Sequence, residues 1–173
     1  MELQLTREAV RFERLVTSGE EQVAIEGEAA LPGSMRDAVT VLSVQAQAVI
    51  SGRQAGTNEA GVRGKVCFQV LYTQGDLTRI RALETSCDFE HIFSMQGVTP
   101  VMRLETGASV EEAEGTAANG RISLRALLGL RVQALETVEK EVVGDVCAQS
   151  GETLLYRVTD AGFAPIPMEV SAQ

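Results

Sequence analysis

A single histidine, His91, is the residue best suited to acid–base chemistry, because imidazole titrates near neutral pH. It follows Glu90 and stands four residues after Cys87, so it could act as a base beside an acid or a thiol. The spacing places no Ser, Cys or Asp partner against it in the way that nucleophilic catalysis requires. We favour a structural histidine at a strand end or in a loop, packed between Phe89 and Phe93.

The acidic residues Glu111, Glu112 and Glu114 are the second candidates for chemistry. Carboxylates bind Ca²⁺ or Mg²⁺, but no DxDxDG-like loop surrounds these three, and a solvated strand end is the favoured interpretation. The sixteen glycines form no GxGxxG or GxxxxGK[ST] phosphate loop, and no GxSxG elbow occurs. The sequence therefore predicts a protein that is not an enzyme and has no cofactor and no metal site.

Three cysteines, Cys67, Cys87 and Cys147, are odd in number and widely spaced. This pattern fits neither a closed disulfide framework nor a zinc site with CxxC spacing. We expect structural thiols, with Cys67 and Cys87 not joined to each other in the reducing cytoplasm. The functional alternative is that an exposed cysteine cross-links neighbouring subunits after assembly.

Fifteen Lys and Arg against twenty-four Asp and Glu give a formal net charge of −9, which repels nucleic acids and anionic membranes on average. Arg121, Arg125 and Arg131 could form a local basic patch, but solvated arginines on an outer sheet face are the favoured interpretation. No basic start followed by an apolar run indicates a signal peptide, and no window approaches the roughly 20 apolar residues of a membrane span. We expect cytoplasmic synthesis, no membrane insertion and no nucleic-acid partner.

Alternation of apolar and polar residues predicts β-strands with one buried face. It is clearest at 42–50, 62–72 and 122–132. Weaker alternation predicts six further strands, at 10–16, 23–31, 78–88, 102–110, 138–146 and 154–158. We expect the apolar faces of 62–72 and 122–132 to share one core.

Turn-forming residues separate these strands at 51–61, 74–76 and 119–120. Asn119-Gly120 is typical of a two-residue hairpin turn, because both residues tolerate positive φ. Links of hairpin length without recurring helices predict an all-β fold. The predicted architecture is an antiparallel β-sandwich or flattened barrel of about nine strands with one short helical turn.

One helical turn is expected from Met35 to Thr40, with Ser34 as its cap. The domain division that we predict is an N-terminal arm or edge strand at 1–20, a β-domain at 21–160 and a C-terminal tail at 161–173.

Five segments resemble a known domain family in their order and spacing. They are VAIEGEAALPGS at 23–34, VLSV at 41–44, FQVLY at 68–72, DFEHIF at 88–93 and NGR at 119–121. The family that they resemble is the SPOCS domain, named for sporulation and coat-associated proteins of spore-forming bacteria. The resemblance covers about residues 20 to 135 and implies no catalytic residues.

The resemblance implies a structural protein of the spore coat or of a spore-associated assembly, made in the mother cell and acting through protein contacts. Its partners would be other copies of itself and spore-coat morphogenetic proteins, and its final place the spore coat or spore surface. Longer members of the family carry a C-terminal peptidoglycan-binding LysM module. We expect none here, so wall binding is not implied.

The terminal segments contain the candidate assembly contacts. Val10, Phe12 and Val16 fall on one face of a predicted strand that can pair as an edge or exchanged strand. Phe163 and Ile166 lie in a tail with two prolines, which cannot pair in the centre of a sheet. We predict that these termini, and not a central pocket, carry the assembly function.

Two alternative functions stay open. One is a self-polymerising subunit of a protein fibre, in which terminal segments add strands to neighbours. The other is a small-molecule or carbohydrate-binding β-domain, although two Tyr and no Trp provide few rings on which a sugar could stack.

Overall fold

The structure of the chain, a computed structural model, describes residues 3–31, 39–75 and 79–148. The described residues form six β-strands and no helix. The strands are β1 (Leu3–Ala30), β2 (Val39–Ala55), β3 (Glu59–Gln74), β4 (Ile80–Ser94), β5 (Arg103–Ala118) and β6 (Arg121–Ala148). The predicted all-β class is confirmed, but the predicted number of about nine strands is wrong.

The number of strands is smaller because two pairs of predicted strands are continuous. The segments 10–16 and 23–31 both fall within β1, and 122–132 and 138–146 both fall within β6. The polar residues that separate each pair in the sequence contain no proline, so nothing in the backbone ends the strand there. The predicted strand at 154–158 lies outside the described residues.

The helical turn predicted from Met35 to Thr40 is not found in the described part of the chain. Val39 and Thr40 are the first two residues of β2. Both are β-branched, which favours extended backbone over helix. Residues 35–38 lie outside the described residues.

The chain divides into two compact units, and β1 and β6 contribute residues to both. The first unit, residues 15–135, is called the sandwich below. The second contains residues 1–14 and 136–173, and its described part, 3–14 and 136–148, is called the ribbon. The domain division expected at residues 20 and 160 stays a prediction.

The sandwich consists of two three-stranded antiparallel sheets, with strand orders β1-β6-β5 and β2-β3-β4. β3 pairs with β2 from Ala55↔Ala60 to Val39↔Gln74 and with β4 along its other side. β6 pairs antiparallel with β5. The central strands β3 and β6 therefore contain two of the three segments with the clearest alternation in the sequence.

The hairpin turn between β5 and β6 is the one predicted at Asn119-Gly120. Both residues have positive φ, 51° and 77°, which matches the twist of a two-residue hairpin. The turn between β2 and β3 is shorter than the predicted 51–61, because only 56–58 lie outside the strands. There Asn58 also has positive φ, 60°, and its side-chain oxygen accepts a hydrogen bond of 2.9 Å from the Gly97 amide.

The core lies between the two sheets and is aliphatic with a few aromatic rings. Val66, Phe68 and Val70 of β3 are fully buried. The inward residues of β6 are equally buried, namely Ile122, Leu124, Ala126, Leu128, Leu130, Val132 and Ala134. All belong to one hydrophobic cluster, which confirms the predicted shared core of 62–72 and 122–132.

Two glycines allow strands of different sheets to approach each other closely. A Cβ atom at Gly27 of β1 would overlap the Sγ of Cys87 on β4. A Cβ at Gly115 of β5 would lie 3.0 Å from a methyl group of Val44 on β2. Glycine is therefore needed where β1 meets β4 and where β5 meets β2.

The part of the chain that the structure describes holds no helix of the length and apolar character that crossing a membrane would require.

Candidate functional site

The ribbon is held together by three arginine–glutamate pairs between β1 and β6. The nitrogen–oxygen distances are 3.4 Å for Arg7–Glu141, 2.8 Å for Arg11–Glu139 and 2.6 Å for Arg14–Glu136. Residue numbers rise along β1 as they fall along β6, so the two strands run antiparallel. All six side chains are exposed, and exposed pairs contribute only about 0 to 1 kcal/mol each. The pairs therefore specify the alignment of the strands more than they stabilise it.

The charges of the ribbon are divided between its strands. The described part of β1 in the ribbon, 3–14, carries three arginines and two glutamates, a net charge of +1. The described part of β6, 136–148, carries four acids and one lysine, a net charge of −3. One strand of the ribbon is therefore basic and the other acidic.

Alternation gives the ribbon two different faces. The pair Arg11–Glu139 marks the face of the odd-numbered residues, which also carries Arg7 and Glu141. The opposite, even-numbered face, called the apolar face below for its residues Val10, Phe12, Val138 and Val142, also carries the pair Arg14–Glu136. The first three of these side chains are half-buried and Val142 is exposed. A two-stranded ribbon with so little burial is only marginally stable in water by itself.

The predicted assembly contacts fall in different parts of the chain. Val10 and Phe12 lie on the apolar face of the ribbon. Val16 belongs to the sandwich, where a Cβ at Gly97 would lie 3.7 Å from its Cγ1. Phe163 and Ile166 lie outside the described residues.

The ion pairs of the ribbon were not among the residues that the sequence singled out. A signal exists, since arginines at 7, 11 and 14 are matched by glutamates at 136, 139 and 141. This match between arginines and glutamates can be recognised only once β1 is known to pair with β6, about 130 residues away in the chain.

The three arginines considered as a basic patch are each paired with an acid of a neighbouring strand in the sandwich. Arg121 lies 2.8 Å from Glu28, Arg125 lies 3.4 Å from Glu114 and Arg131 lies 3.6 Å from Glu20. The side chains are exposed, as expected for an outer sheet face. The outer face of the β1-β6-β5 sheet is therefore a mixed-charge surface and not a basic patch.

His91 lies near the end of β4 and packs edge-on against Phe93, with ring centroids 4.8 Å apart. Its Nε2 lies 2.8 Å from a carboxylate oxygen of Glu21 on β1. The carboxylate beside it is thus Glu21 of another strand, not the neighbouring Glu90. These contacts fit the structural interpretation, in which the imidazole links β4 to β1.

Cys67 and Cys87 point to opposite faces of the β2-β3-β4 sheet. Cys87 is opposite Val66, whose side chain is buried in the core, whereas Cys67 is exposed on the outer face. Both thiols are free. Partial burial, and to a lesser extent the charge of Asp88, raise the pKa of the Cys87 thiol. Because the two side chains diverge, no disulfide can join them without rearrangement of the strands.

The acidic residues Glu111, Glu112 and Glu114 lie within β5 and not at a strand end, so that expectation is wrong. The register shifts between Val110 and Glu112, which makes Glu111 part of a bulge. Glu111 accepts a hydrogen bond of 2.6 Å from the Gln22 side chain. Among the described residues, no three His, Cys, Asp or Glu side chains gather in a way that could hold a metal ion.

A shallow groove of about 510 Å³ crosses the β1-β6-β5 sheet between residues 26–28, 114–116 and 123–125. Gly27 and Gly115 are among the residues that line it. No aromatic ring lines it, and Tyr72 is buried in the core. The groove therefore offers no stacking platform for a sugar.

Residues 37–117 match the family model described as SipL, SPOCS domain. No curated protein and no solved structure matched the chain. The match covers β2, β3, β4 and β5 and lies inside the region 20–135 for which the sequence resembles the family. Residues 37–117 of this chain are therefore similar to the SPOCS domain.

Proposed function

We propose that this chain is a structural, non-enzymatic protein of the spore coat or of another spore-associated assembly, and that it acts by binding other proteins and copies of itself. The SPOCS match of residues 37–117 supports a sporulation-associated role. Spore-coat morphogenetic proteins are the partners that fit this role.

The ribbon is the observation that carries the proposal. Its described side chains are exposed or half-buried, and they include Leu5, Val142 and Val143, which are 47%, 42% and 50% exposed. Apolar residues on a marginally stable two-stranded element gain stability when another surface covers them. This favours a binding element in the ribbon over a site in the groove of the sandwich.

The chemistry of the sandwich supports a role without catalysis. His91 is engaged with Glu21 and Phe93, and the Cys87 thiol faces Gly27 at the meeting of two strands. These side chains, the best candidates for catalysis in the sequence, fill structural positions between β1 and β4.

The proposal is tested by tagging the full chain in a spore-forming host and following it through sporulation. We expect the tagged chain in the extractable spore-envelope fraction, together with coat proteins captured by affinity purification. Recovery of the chain only from the soluble mother-cell fraction, with no coat protein bound, would contradict the proposal.

Two full-length variants identify the binding element. Phe12→Glu with Val142→Glu places charges on the apolar face of the ribbon and should reduce incorporation into the envelope. Val101→Glu is the matched control, because Val101 is 93% exposed in a loop of the sandwich. Equal incorporation of both variants would show that the ribbon is not the contact.

A subunit of a protein fibre is the second candidate function. It is favoured by the division of charge between the two strands of the ribbon. Electron microscopy of the concentrated protein separates the two candidates, because ordered filaments favour the fibre.

A further inference from the structure

The ribbon has two outer backbone edges that no described strand occupies. In the order β1-β6-β5, β1 is one of the two outer strands. β5 begins at Arg103, which pairs with Leu135 of β6, so β5 does not run alongside β6 through residues 136–148. Along the described residues, each outer edge presents a row of backbone N–H and C=O groups, which is a template for another strand.

These two edges carry opposite charge. On the odd-numbered face, β1 carries Arg7, Arg11 and Glu13, a net charge of +1, and β6 carries Glu139, Glu141 and Asp145, a net charge of −3. Pairing β1 of one copy with β1 of another would oppose two strands of net positive charge, and pairing β6 with β6 would oppose two strands of net negative charge. Like charges directly opposite each other across strands are destabilising. The complementary partner for each edge is therefore the other edge of a second copy.

We propose that the β1 edge of the ribbon in one copy pairs antiparallel with the β6 edge of the ribbon in a second copy. This inference rests on the proposed function and specifies the contact by which copies associate. Each β1 then lies between two acidic strands, its own β6 and that of the neighbour. A guanidinium has five N–H donors, and the bond from Arg7 to Glu141 uses one of them, so a second carboxylate can be bound.

The contact joins two different surfaces, so every added copy leaves one β1 edge and one β6 edge free at the ends of the assembly. Such a contact does not form a two-fold dimer; it extends as an open chain of subunits unless the rotation between copies closes it into a ring. Of these two assemblies we expect the open filament, in which the strands of successive ribbons alternate in charge.

A charge-exchanged full-length chain tests the proposal. The substitutions Arg7→Glu, Arg11→Glu, Glu139→Arg and Glu141→Arg exchange the charges of the two strands and keep the pairs within the ribbon. We expect this chain to assemble with itself as the wild type does. Mixed with the wild type, it should form mixed contacts at least about tenfold less often than like contacts, because both mixed edges oppose like charges.

Native mass spectrometry of small oligomers measures this sorting, with one of the two proteins labelled with heavy nitrogen. The matched control exchanges a pair in the sandwich, Arg121→Glu with Glu28→Arg, whose side chains are equally exposed. We expect the control chain to mix freely with the wild type. Assembly of the wild type should also weaken in about 1 M salt, where the Debye length is about 3 Å.

Two half-exchanged chains give a second test that does not depend on a restored ribbon. Arg7→Glu with Arg11→Glu makes both strands acidic, and Glu139→Arg with Glu141→Arg makes the acidic strand basic. Each should assemble poorly alone, and mixing the two should restore assembly. The pairs within each chain stay mismatched in the mixture, so only contacts between chains can explain the recovery.

Three results would overturn the inference. Free mixing of the charge-exchanged chain with the wild type would place the contact outside the ribbon and leave the proposed function standing. Preferential formation of mixed oligomers would indicate pairing of identical edges. A wild type that stays monomeric at high concentration would exclude self-association by this edge, while incorporation into the spore envelope tests the proposed function separately.

Discussion

Leu128 lies in the middle of β6 with no exposed surface, and it contributes to the core shared with β3. Leu128→Ala removes buried methyl groups and leaves a cavity, so we expect a loss of about 2 to 5 kcal/mol in the free energy of unfolding. Urea melts provide the measurement. Ile92→Ala is the control, since Ile92 is 59% exposed on β4 and should change stability by less than about 0.5 kcal/mol. A loss below about 1 kcal/mol for Leu128→Ala would show that its burial is wrong.

Gly27 and Cys87 form a pair that can be tested by coupled substitutions. Gly27→Ala should destabilise the chain by about 1 kcal/mol or more, because the new methyl group would overlap the Cys87 Sγ. In a Cys87→Ala background the nearest remaining side-chain atom of residue 87, the Cβ, would be 3.6 Å away. The same substitution should then cost clearly less, as a double-mutant cycle of denaturant melts would show. Additive losses would mean that the two strands do not meet there.

The two described thiols should differ in reactivity. Cys67 is exposed, while burial and the neighbouring Asp88 raise the pKa of Cys87 and reduce its thiolate fraction. We expect a thiol reagent at pH 8 to label Cys67 first, and the labelling rate of Cys87 to continue rising at higher pH. Peptide mapping by mass spectrometry distinguishes the sites. Equal rates at both cysteines would contradict the placement of Cys87 between the strands.

The raised pKa of Cys87 also has a consequence for stability. The folded chain holds this proton more tightly than the unfolded chain does. Its contribution to stability is therefore fully present below the ordinary thiol pKa. This contribution is lost as the pH rises from the ordinary thiol pKa through the raised pKa of the folded chain. Cys87→Ser should reduce this part of the pH dependence.

At the scale of the elements, the hairpin between β5 and β6 depends on backbone conformations that most residues avoid. Gly120 has a φ of 77°, so Gly120→Val should cost about 1 to 3 kcal/mol. Gly107→Val in the same hairpin is the control, because nothing lies within 4 Å of a Cβ at Gly107 and its φ is not positive. Thermal melts by circular dichroism compare the two. Equal losses would indicate that the turn has another geometry.

The central strands could be predicted from the sequence because their two faces differ so strongly in polarity. Every second residue of β3 from Val62 to Tyr72 is buried or is a glycine, and the predicted alternation there needed no knowledge of the partner strands. The lengths of β1 and β6 could not be read in this way. Their ends in the ribbon carry cross-strand ion pairs, and the alternation of apolar and polar residues is weaker there than in β3.

The candidate site was predictable only in part for a related physical reason. An apolar stripe within one strand is a local pattern, so Val10 and Phe12 could be identified. The complementary charges of the ribbon depend on strands about 130 residues apart. Which arginine meets which glutamate is decided by the register of β1 with β6, and register is a property of the folded sheet.

At the scale of the whole molecule, the two units should differ in local stability. The ribbon has little buried surface, whereas the same two strands within the sandwich border a continuous core. In dilute solution we expect backbone amides of 5–14 and 136–145 to exchange with deuterium much faster than those of 122–134. Mass spectrometry of peptides measures both. Equal protection in a monomer would contradict the marginal stability of the ribbon.

The same measurement on assembled protein tests where copies meet. If ribbons associate by their edges, the amides of 5–14 and 136–145 become protected on assembly, while those of 122–134 change little. Protection that appears only in β2, β3 and β4 would instead place the contact on the other sheet.

The pairing of β1 with β6 also affects how the chain folds during its synthesis. Of the described strands, β1 leaves the ribosome first and β6 last, with paired residues such as Arg7 and Glu141 separated by 134 positions. At roughly 5 to 20 residues per second, β1 waits about 7 to 27 s for its partner. Throughout this interval the first strand is available to a completed β6 on a neighbouring nascent or finished chain. Clustered translation of one messenger RNA would therefore favour exchange of β1 between copies, and the local density of ribosomes becomes a variable that influences assembly.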